Sequence, residues 1–252
     1  MKVFADYARY YDLIYRDKDY RGEAEYTHNL IRKHGIVGDT VLNLGCGSGR
    51  HDRYLAENGY KITGVDISEE MLIFAKEKIP EKVCLNYVKG DVRHIRLGKT
   101  FDIVISLFHV MSYQVSDEDL LASFATASAH VKPGGVFIFD CWYGPGVLTD
   151  RPTVRIKEQE DEYIAITRIA QPVMHPNLNV VDVEYLFFVK EKSKGHINEI
   201  RETHRMRYLF QPEVRRLLSD KGFTVETCEE WLTGAEPCFS TWNVVFVCRK
   251  RK

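Results

Sequence analysis

Thr40-Val41-Leu42-Asn43-Leu44-Gly45-Cys46-Gly47-Ser48-Gly49-Arg50 is the stretch on which the reading of this chain turns. A short apolar run is stopped by three glycines at alternate positions, and Arg50 to Asn58 then reads as a helix closed by Gly59. Strand, glycine turn and helix make a place where the backbone approaches a ligand closely. Glycine has no Cβ to obstruct it, and a helix N-terminus favours negative groups. A pyrophosphate seat carries its third glycine three residues after the second. Here that slot is Arg50 and the glycine comes one residue early, at Gly49. The spacing favours a smaller, amino-acid-like moiety over a dinucleotide.

Outward from the loop, strands and helices alternate. Arg21 to His34 reads as a helix on one side. On the other, Tyr60 to Val65 is a second strand, and Ser68 opens a helix with its hydroxyl at the N-cap, Glu69 and Glu70 in the first turn, and Met71, Leu72 and Ala75 on one face. Val83 to Val88 and Phe101 to Leu107 are strands, Asp117 to His130 a helix, Lys132-Pro133-Gly134-Gly135 a turn, and Val136 to Phe139 a fifth strand. Such alternation implies right-handed βαβ units and a mainly parallel α/β sheet covered on both faces. After Trp142 the rhythm changes. From Val154 to Leu209 the segments alternate like half-buried strands, with breaks expected at Pro172, Pro176-Asn177 and Lys194-Gly195, and read as an inserted antiparallel sheet. Pro212 to Lys221 is a helix, and Phe223 to Glu229 and Thr241 to Arg249 are the last strands. The chain reads as one domain, 1–252, with an N-terminal lid or helical segment at 1–36 and a β-rich insertion at 150–210.

Two acids extend the site. Asp66 ends the second strand, where a carboxylate can accept both hydroxyls of a ribose, and Asp91 ends the third, where it can accept from an adenine amino group. Each acid alone also suits a helix or turn cap. Three consecutive strands ending in a glycine loop, an Asp and an Asp together suit one adenosine ligand.

Leu42 to Gly49, Val65-Asp66-Ile67-Ser68, Gly90-Asp91-Val92 and Lys132-Pro133-Gly134-Gly135 look like the successive motifs of class I S-adenosylmethionine-dependent methyltransferases. The resemblance covers residues 38–140 and, loosely, the last two strands. It implies a Rossmann-like, doubly wound sheet of seven strands whose last strand is antiparallel, with S-adenosyl-L-methionine as cofactor. The cofactor contacts it implies are Tyr20, Asn43, Gly45, Cys46, Gly47 and Gly49 around the loop, and Asp66, Ile67, Met71, Asp91, Val92 and Leu107 at the following strand ends. Asn43 departs from the family, which usually has an acid there; an amide still hydrogen-bonds the methionine portion but loses the charge pairing with its ammonium.

Composition bounds the partners. The formal net charge is −1, so no global positive field draws nucleic acid or an acidic membrane, and no basic stripe interleaved with aromatics is present. The terminal Arg249-Lys250-Arg251-Lys252 reads as a solvated tail. Neither a secretory leader nor a membrane span is expected, since Met1 to Asp6 becomes charged at once. The six cysteines form no C-x-x-C pair, so no metal is expected, and those in apolar runs read as small buried hydrophobes in a reducing cytoplasm.

The segment Ser106 to Tyr113 lacks the Asn/Asp-Pro-Pro-Tyr of the branches that methylate nucleic acids, which argues against a flipped base as acceptor. Tyr11-Asp12-Leu13-Ile14-Tyr15 with Lys18-Asp19-Tyr20, Phe108 to Tyr113, Asp140-Cys141-Trp142-Tyr143 and the β-rich insertion resemble bacterial N,N-dimethyltransferases of nucleotide-linked amino sugars. That resemblance implies a small-molecule acceptor held by Tyr11, Trp142 and Tyr143, and a homodimer built with the insertion; Arg207, from the basic cluster Arg201, His204, Arg205 and Arg207, is a further candidate acceptor contact. An amine must be neutral to accept a methyl group, so a His or Tyr that takes its proton is needed. Tyr15, His109 and Tyr113 are the candidates; each tyrosine also suits a half-buried aromatic with a satisfied hydroxyl. The cluster Tyr7, Tyr10, Tyr11, Tyr15, Tyr20 and Tyr26 reads either as a lid or as an aromatic helix packed on the sheet, and Arg201, Arg205 and Arg207 either as holders of a diphosphate or as a solvated strand face. The alternatives are an O- or N-methyltransferase on another metabolite, a non-catalytic adenosylmethionine-binding module and, least favoured by Arg50, an NAD-dependent oxidoreductase.

Overall fold

In a computed structural model of the chain, residues 8–77, 79, 83–193 and 195–252 are described; Tyr7 of the tyrosine cluster and Lys194 of the expected break fall outside them. The first elements are α1 (Ala8–Ile14), α2 (Tyr20–Lys33), β1 (Thr40–Leu44), α3 (Arg50–Glu57), β2 (Lys61–Asp66), α4 (Glu69–Glu77), β3 (Leu85–Lys89) and β4 (Phe101–Ser106). There follow α5 (Asp117–His130), β5 (Val131–Trp142), α6 (Gly144–Thr149), β6 (Arg155–Glu160), β7 (Ile164–His175), β8 (Val180–Glu191), β9 (Ile197–Arg207), α7 (Gln211–Asp220), β10 (Phe223–Glu230) and β11 (Asn243–Lys250).

Seven strands form one sheet in the order β10-β11-β5-β4-β1-β2-β3. Pairing is parallel from β3 through β5, and β11 runs antiparallel to both of its neighbours. Both faces are covered, so the central strands are apolar throughout. Leu42, Leu44, Phe137 and Phe139 pack on one side with α5 and α7, and Val41, Ile103, Ile105 and Ile138 pack on the other with α2 and α3. On the first side Phe137 and Phe139 stack at 4.9 Å and Phe139 and Phe246 at 5.2 Å. The order reverses between β1 and β4, which opens a crevice beyond their C-terminal ends, where such sheets bind ligands.

The insertion is a four-stranded antiparallel sheet, β6-β7-β8-β9. It leaves and rejoins the main sheet at one point. Tyr143 bridges Leu209, the Leu209 N–H donates to Trp142 O at 2.9 Å, and the Gly144 N–H donates to Leu209 O at 2.9 Å. Tyr10 and Ile14 of α1 are buried against Ile166, Phe187 and Val189 of this sheet.

Three local expectations are corrected. Pro172 does not break the chain. It lies within β7 opposite Val183, beyond Ala170 where pairing with β6 ends, so its missing N–H costs no ladder bond. Lys132 to Gly135 is an irregularity absorbed into β5, where the register with β4 shifts between Phe101 and Ile103 and Gly134 takes φ +79°. The basic terminus is not simply a solvated tail, because Arg249 is tied to Glu226 at 2.8 Å, to Gly134 O at 3.0 Å and to His34 O at 2.7 Å.

Candidate active site

A cleft of roughly 1190 Å³ runs across the crevice, larger than the volumes of up to about 1,000 Å³ typical of single small-ligand sites. Its two halves are built from different parts of the chain.

The first half is the glycine loop with the ends of β2 and β3. Gly45, Gly47 and Gly49 all take positive φ, 83°, 53° and 69°. A Cβ on Gly45 would lie 2.6 Å from a Val110 methyl, so only glycine lets the strand turn here. The Gly45 and Cys46 N–H groups donate to Val65 O, and the Gly47 N–H donates to Asp66 Oδ2 at 2.8 Å. Asp66 Oδ1 also accepts from the Ser68 N–H at 2.9 Å. Burial pushes the Asp66 carboxyl up, and these N–H groups offset part of that. Ile67 is 60 % exposed beside it, a platform for a flat ring. Asp91 is gripped by Arg93, whose guanidinium and N–H hold its carboxyl below the usual range. Cys46, Met71, Val92, Leu107 and Tyr20 complete this lining. The Tyr20 hydroxyl is buried here with Tyr11 beside it. The bare glycine cradle and the paired strand-end acids fit S-adenosyl-L-methionine.

Asn43 does not line the cleft, which corrects its expected role. Side chains alternate along β1, so Asn43 shares the face of Val41 and points at α3. There its Nδ2 donates to Asp52 Oδ1 at 2.6 Å, with both residues buried. Burial raises the Asp52 carboxyl to about 6, although the Asn43 N–H and nearby cationic groups pull it back. Asn43 is therefore an amide because the acid it faces is already on the helix. Next to this pair, Glu23 accepts from Lys18 and lies 2.7 Å from His51 Nε2. Burial opposes its ionisation, but these two partners outweigh that and hold Glu23 at about 2.

The second half lies under the insertion. Phe108 and His109 are consecutive non-glycine residues at φ 66° and 64°, a strained pair of the kind that clusters at functional sites. Asp140, 1 % exposed on β5, holds the turn. It accepts from the His109 N–H at 3.1 Å and lies 2.6 Å from His109 Nδ1. Trp142 stands beside His109, with ring centroids 6.4 Å apart. Opposite, Tyr113 Oη is 2.7 Å from His204 Nδ1, and His204 Nε2 is 3.0 Å from Glu202 Oε2, so a carboxylate, an imidazole and a phenol stand in line. Tyr11 and Tyr15 of α1 and its following turn close one wall, 4.8 Å apart ring to ring, and the Tyr15 ring meets Phe108 edge-on.

Two expected acceptor residues are elsewhere. Tyr143 packs against the main core because its backbone belongs to the bridge that closes the insertion. Arg207 is buried between Asp117 and Glu213 and cannot reach an acceptor. Arg201 and Arg205 pair with Glu199 and Asp182 on the outer face of the insertion. Tyr26 is also remote and donates to Glu229 at 2.7 Å. Residues that the sequence did not single out do face the cleft, notably Arg155, Arg168 and Tyr185, and His204 faces it from among the basic residues of β9. Their signal was present in the alternation of β6 to β9, but that alternation does not say which face looks inward.

This geometry defines an S-adenosylmethionine-dependent methyltransferase, and residues 41–135 match the methyltransferase domain family. Over 227 residues, 89% of this chain and 92% of the relative, the chain is 29% identical to the dTDP-3-amino-3,4,6-trideoxy-alpha-D-glucopyranose N,N-dimethyltransferase of Streptomyces venezuelae. Its fold is similar to that of Streptomyces venezuelae DesVI, at 26% identity and a TM-score of 0.79 over 98% of this chain and 99% of that one. It also shares its fold with an S-adenosylmethionine-dependent methyltransferase from Clostridium acetobutylicum, at 21% identity and a TM-score of 0.81 over 96% of each chain.

Proposed function

We propose that this methyltransferase acts on the amine of a nucleotide-linked amino sugar, with His109 taking the proton that the amine releases. The observation that carries this reading is His109 Nδ1 2.6 Å from the buried Asp140 carboxylate, in the half of the cleft that the cofactor motifs leave over. A carboxylate beside one ring nitrogen stabilises the imidazolium once the other nitrogen has accepted a proton. The Streptomyces relative named above supports the acceptor class, since similarity to it spans 89% of this chain, well beyond the cofactor motifs.

Bound S-adenosyl-L-methionine supplies a methyl group already activated on a sulfonium, so the protein needs no nucleophile of its own. The chain's residues align and dehydrate the acceptor. Trp142, Tyr15 and Phe108 give it aromatic walls. Tyr113, fixed by the His204–Glu202 pair, is a hydrogen-bond partner for the amine or a neighbouring hydroxyl. α1 and the insertion roof the cleft against water. No described helix is long and apolar enough to cross a membrane. We place the enzyme in the cytoplasm, where its free cysteines stay reduced, and read it as a homodimer joined through the insertion, checked by sedimentation.

The test supplies labelled adenosylmethionine with nucleotide-linked amino sugars, free amino sugars and hydroxylated metabolites, with products read by mass spectrometry. N-methylated nucleotide sugars are expected. Transfer confined to oxygen, or to other metabolites, would sink the reading.

A further inference from the structure

The cleft is electrically polarised. The carboxylates that line it, Asp66, Glu69, Glu70 and Asp91, all belong to the cofactor half. The cations of that half are engaged. Lys89 pairs with Glu69 and Arg93 with Asp91, while Arg50 lies over the Tyr20 ring and donates to Tyr15 O. Under the insertion the signs reverse. The lining there carries Arg155 and Arg168, and the nearby carboxylates, Asp140 and Glu202, stand behind His109 and His204 rather than in it.

Register explains the pairing of these arginines. On the inward face of the insertion Arg155 stands opposite Ala170, and Lys157 stands opposite Arg168. Arg155 and Arg168 are therefore diagonal neighbours across β6 and β7, about 7–8 Å apart by strand geometry. Lys157 between them is neutralised by Asp17 at 2.5 Å. Arg168 has no ion-pair partner among the described residues. Its guanidinium lies 5.8 Å from the Tyr15 ring centroid and 5.2 Å from that of Tyr185, and one terminal nitrogen donates to Tyr15 Oη at 3.3 Å. Its Nε is buried with no hydrogen-bond partner. A fixed, half-buried guanidinium with one N–H edge unspent, and a second guanidinium a diagonal step away, has the geometry of an oxyanion receptor. A bare structural arginine would instead have found a carboxylate, as Arg201, Arg205 and Arg207 have done.

We propose that Arg168 and Arg155 form an anion seat for the phosphate or diphosphate of the acceptor, holding it under the insertion while its amine lies by His109. This deepens the reading above and rests on it for seating the acceptor in this half of the cleft. The two guanidiniums match the two phosphates of a nucleoside diphosphate. The seat then selects acceptors by charge at a point distant from the methylated atom.

The test measures calorimetric binding to the full-length protein saturated with S-adenosylhomocysteine. The probes are uridine diphosphate, thymidine diphosphate, inorganic pyrophosphate and an uncharged free amino sugar. Nucleoside diphosphates are expected to bind, with affinity falling as salt rises. Arg168→Gln should weaken them about ten- to hundredfold, the range for a charge-assisted hydrogen bond, and Arg155→Gln by a smaller factor. S-adenosylhomocysteine affinity, measured on each variant, reports that the fold is intact. Arg168→Lys, which keeps the charge and loses the fork, should recover only part of the loss. Pyrophosphate binding as tight as that of the nucleoside diphosphates assigns the seat to phosphate alone and still supports it. The proposal is overturned if the parent binds no diphosphate, or if Arg168→Gln and the double variant bind it as tightly as the parent. It is overturned equally if a free amino sugar is methylated as efficiently as its nucleotide-linked form, an outcome that leaves N-methylation standing. Tight diphosphate binding with methyl transfer to oxygen has the opposite meaning, and removes the amine while keeping the seat.

Discussion

Asp52 under the glycine loop makes a quantitative prediction. It is fully buried, it accepts the Asn43 amide at 2.6 Å, and the Tyr87 hydroxyl stands beside it. Raising its carboxyl from 3.8 to about 6 corresponds to at most about 3 kcal/mol. The sign follows from proton linkage. Between these two values the folded protein keeps a proton that the unfolded chain has released, so stability falls as pH rises through this window and the full cost is present above about pH 6. Asp52→Asn removes the charge without changing shape, and the new amide can donate to Asn43 Oδ1, which is itself buried without a partner. Urea unfolding should find the variant and parent alike near pH 3, and the variant more stable by up to about 3 kcal/mol near pH 8. The companion change Asn43→Asp, which restores the family's acid, sets two buried carboxylates side by side and should destabilise most above pH 6. A stability difference for Asp52→Asn that is the same at both pH values would refute the account, as would a loss at pH 8.

Two further predictions concern the site. Asp140→Asn keeps the size of the side chain but removes the charge behind His109, so kcat should fall about 10²–10³-fold and the acid limb of the pH–rate profile should change; a rate within about threefold of the parent with an unaltered profile leaves His109 without a catalytic part. Gly49→Ala forces a Cβ to 2.2 Å from Tyr87 Oη at a φ of 69°, so it should cost about 2–3 kcal/mol, lower Tm by about 5–10 °C and weaken cofactor binding at least tenfold, as read by calorimetry.

Much of the cofactor half was legible in the sequence because it is local. Gly45, Gly47, Asp66, Ile67, Asp91 and Val92 come to the cleft simply by being at the ends of consecutive parallel strands, and Met71 by lying in the first turn of the helix that follows one of them. The strand and helix boundaries could be read for the same reason, and α5 spans the expected Asp117–His130. Asn43 could not be read, because the motif position says nothing about Asp52 nine residues on. The acceptor half is assembled from α1, the turn after β4, Trp142 and all four strands of the insertion, which are far apart in sequence. There the alternation of β9 sets His204 and Glu202 on one face and Arg201 and Arg205 on the other. Only the packing of α1 and the closing bridge decides which face covers the cleft. A cluster of arginines draws the eye in a sequence, whereas the single inward Arg168 between Thr167 and Ile169 does not.

The bridge between Tyr143 and Leu209 has a consequence for how such an enzyme can be altered. Everything from α6 to β9 hangs from the main sheet by two adjacent strand ends, held by the hydrogen bonds from Leu209 to Trp142 and from Gly144 to Leu209. The segment is thus a cassette whose backbone joins the main sheet at one place, packed besides on α1 and Tyr113, and it carries Arg155, Arg168, Tyr185 and His204 without any residue of the glycine loop. Exchanging it between relatives at that joint would change what is methylated while leaving the methyl donor's seat untouched, so the recognition of acceptor and of donor can diverge separately within one chain.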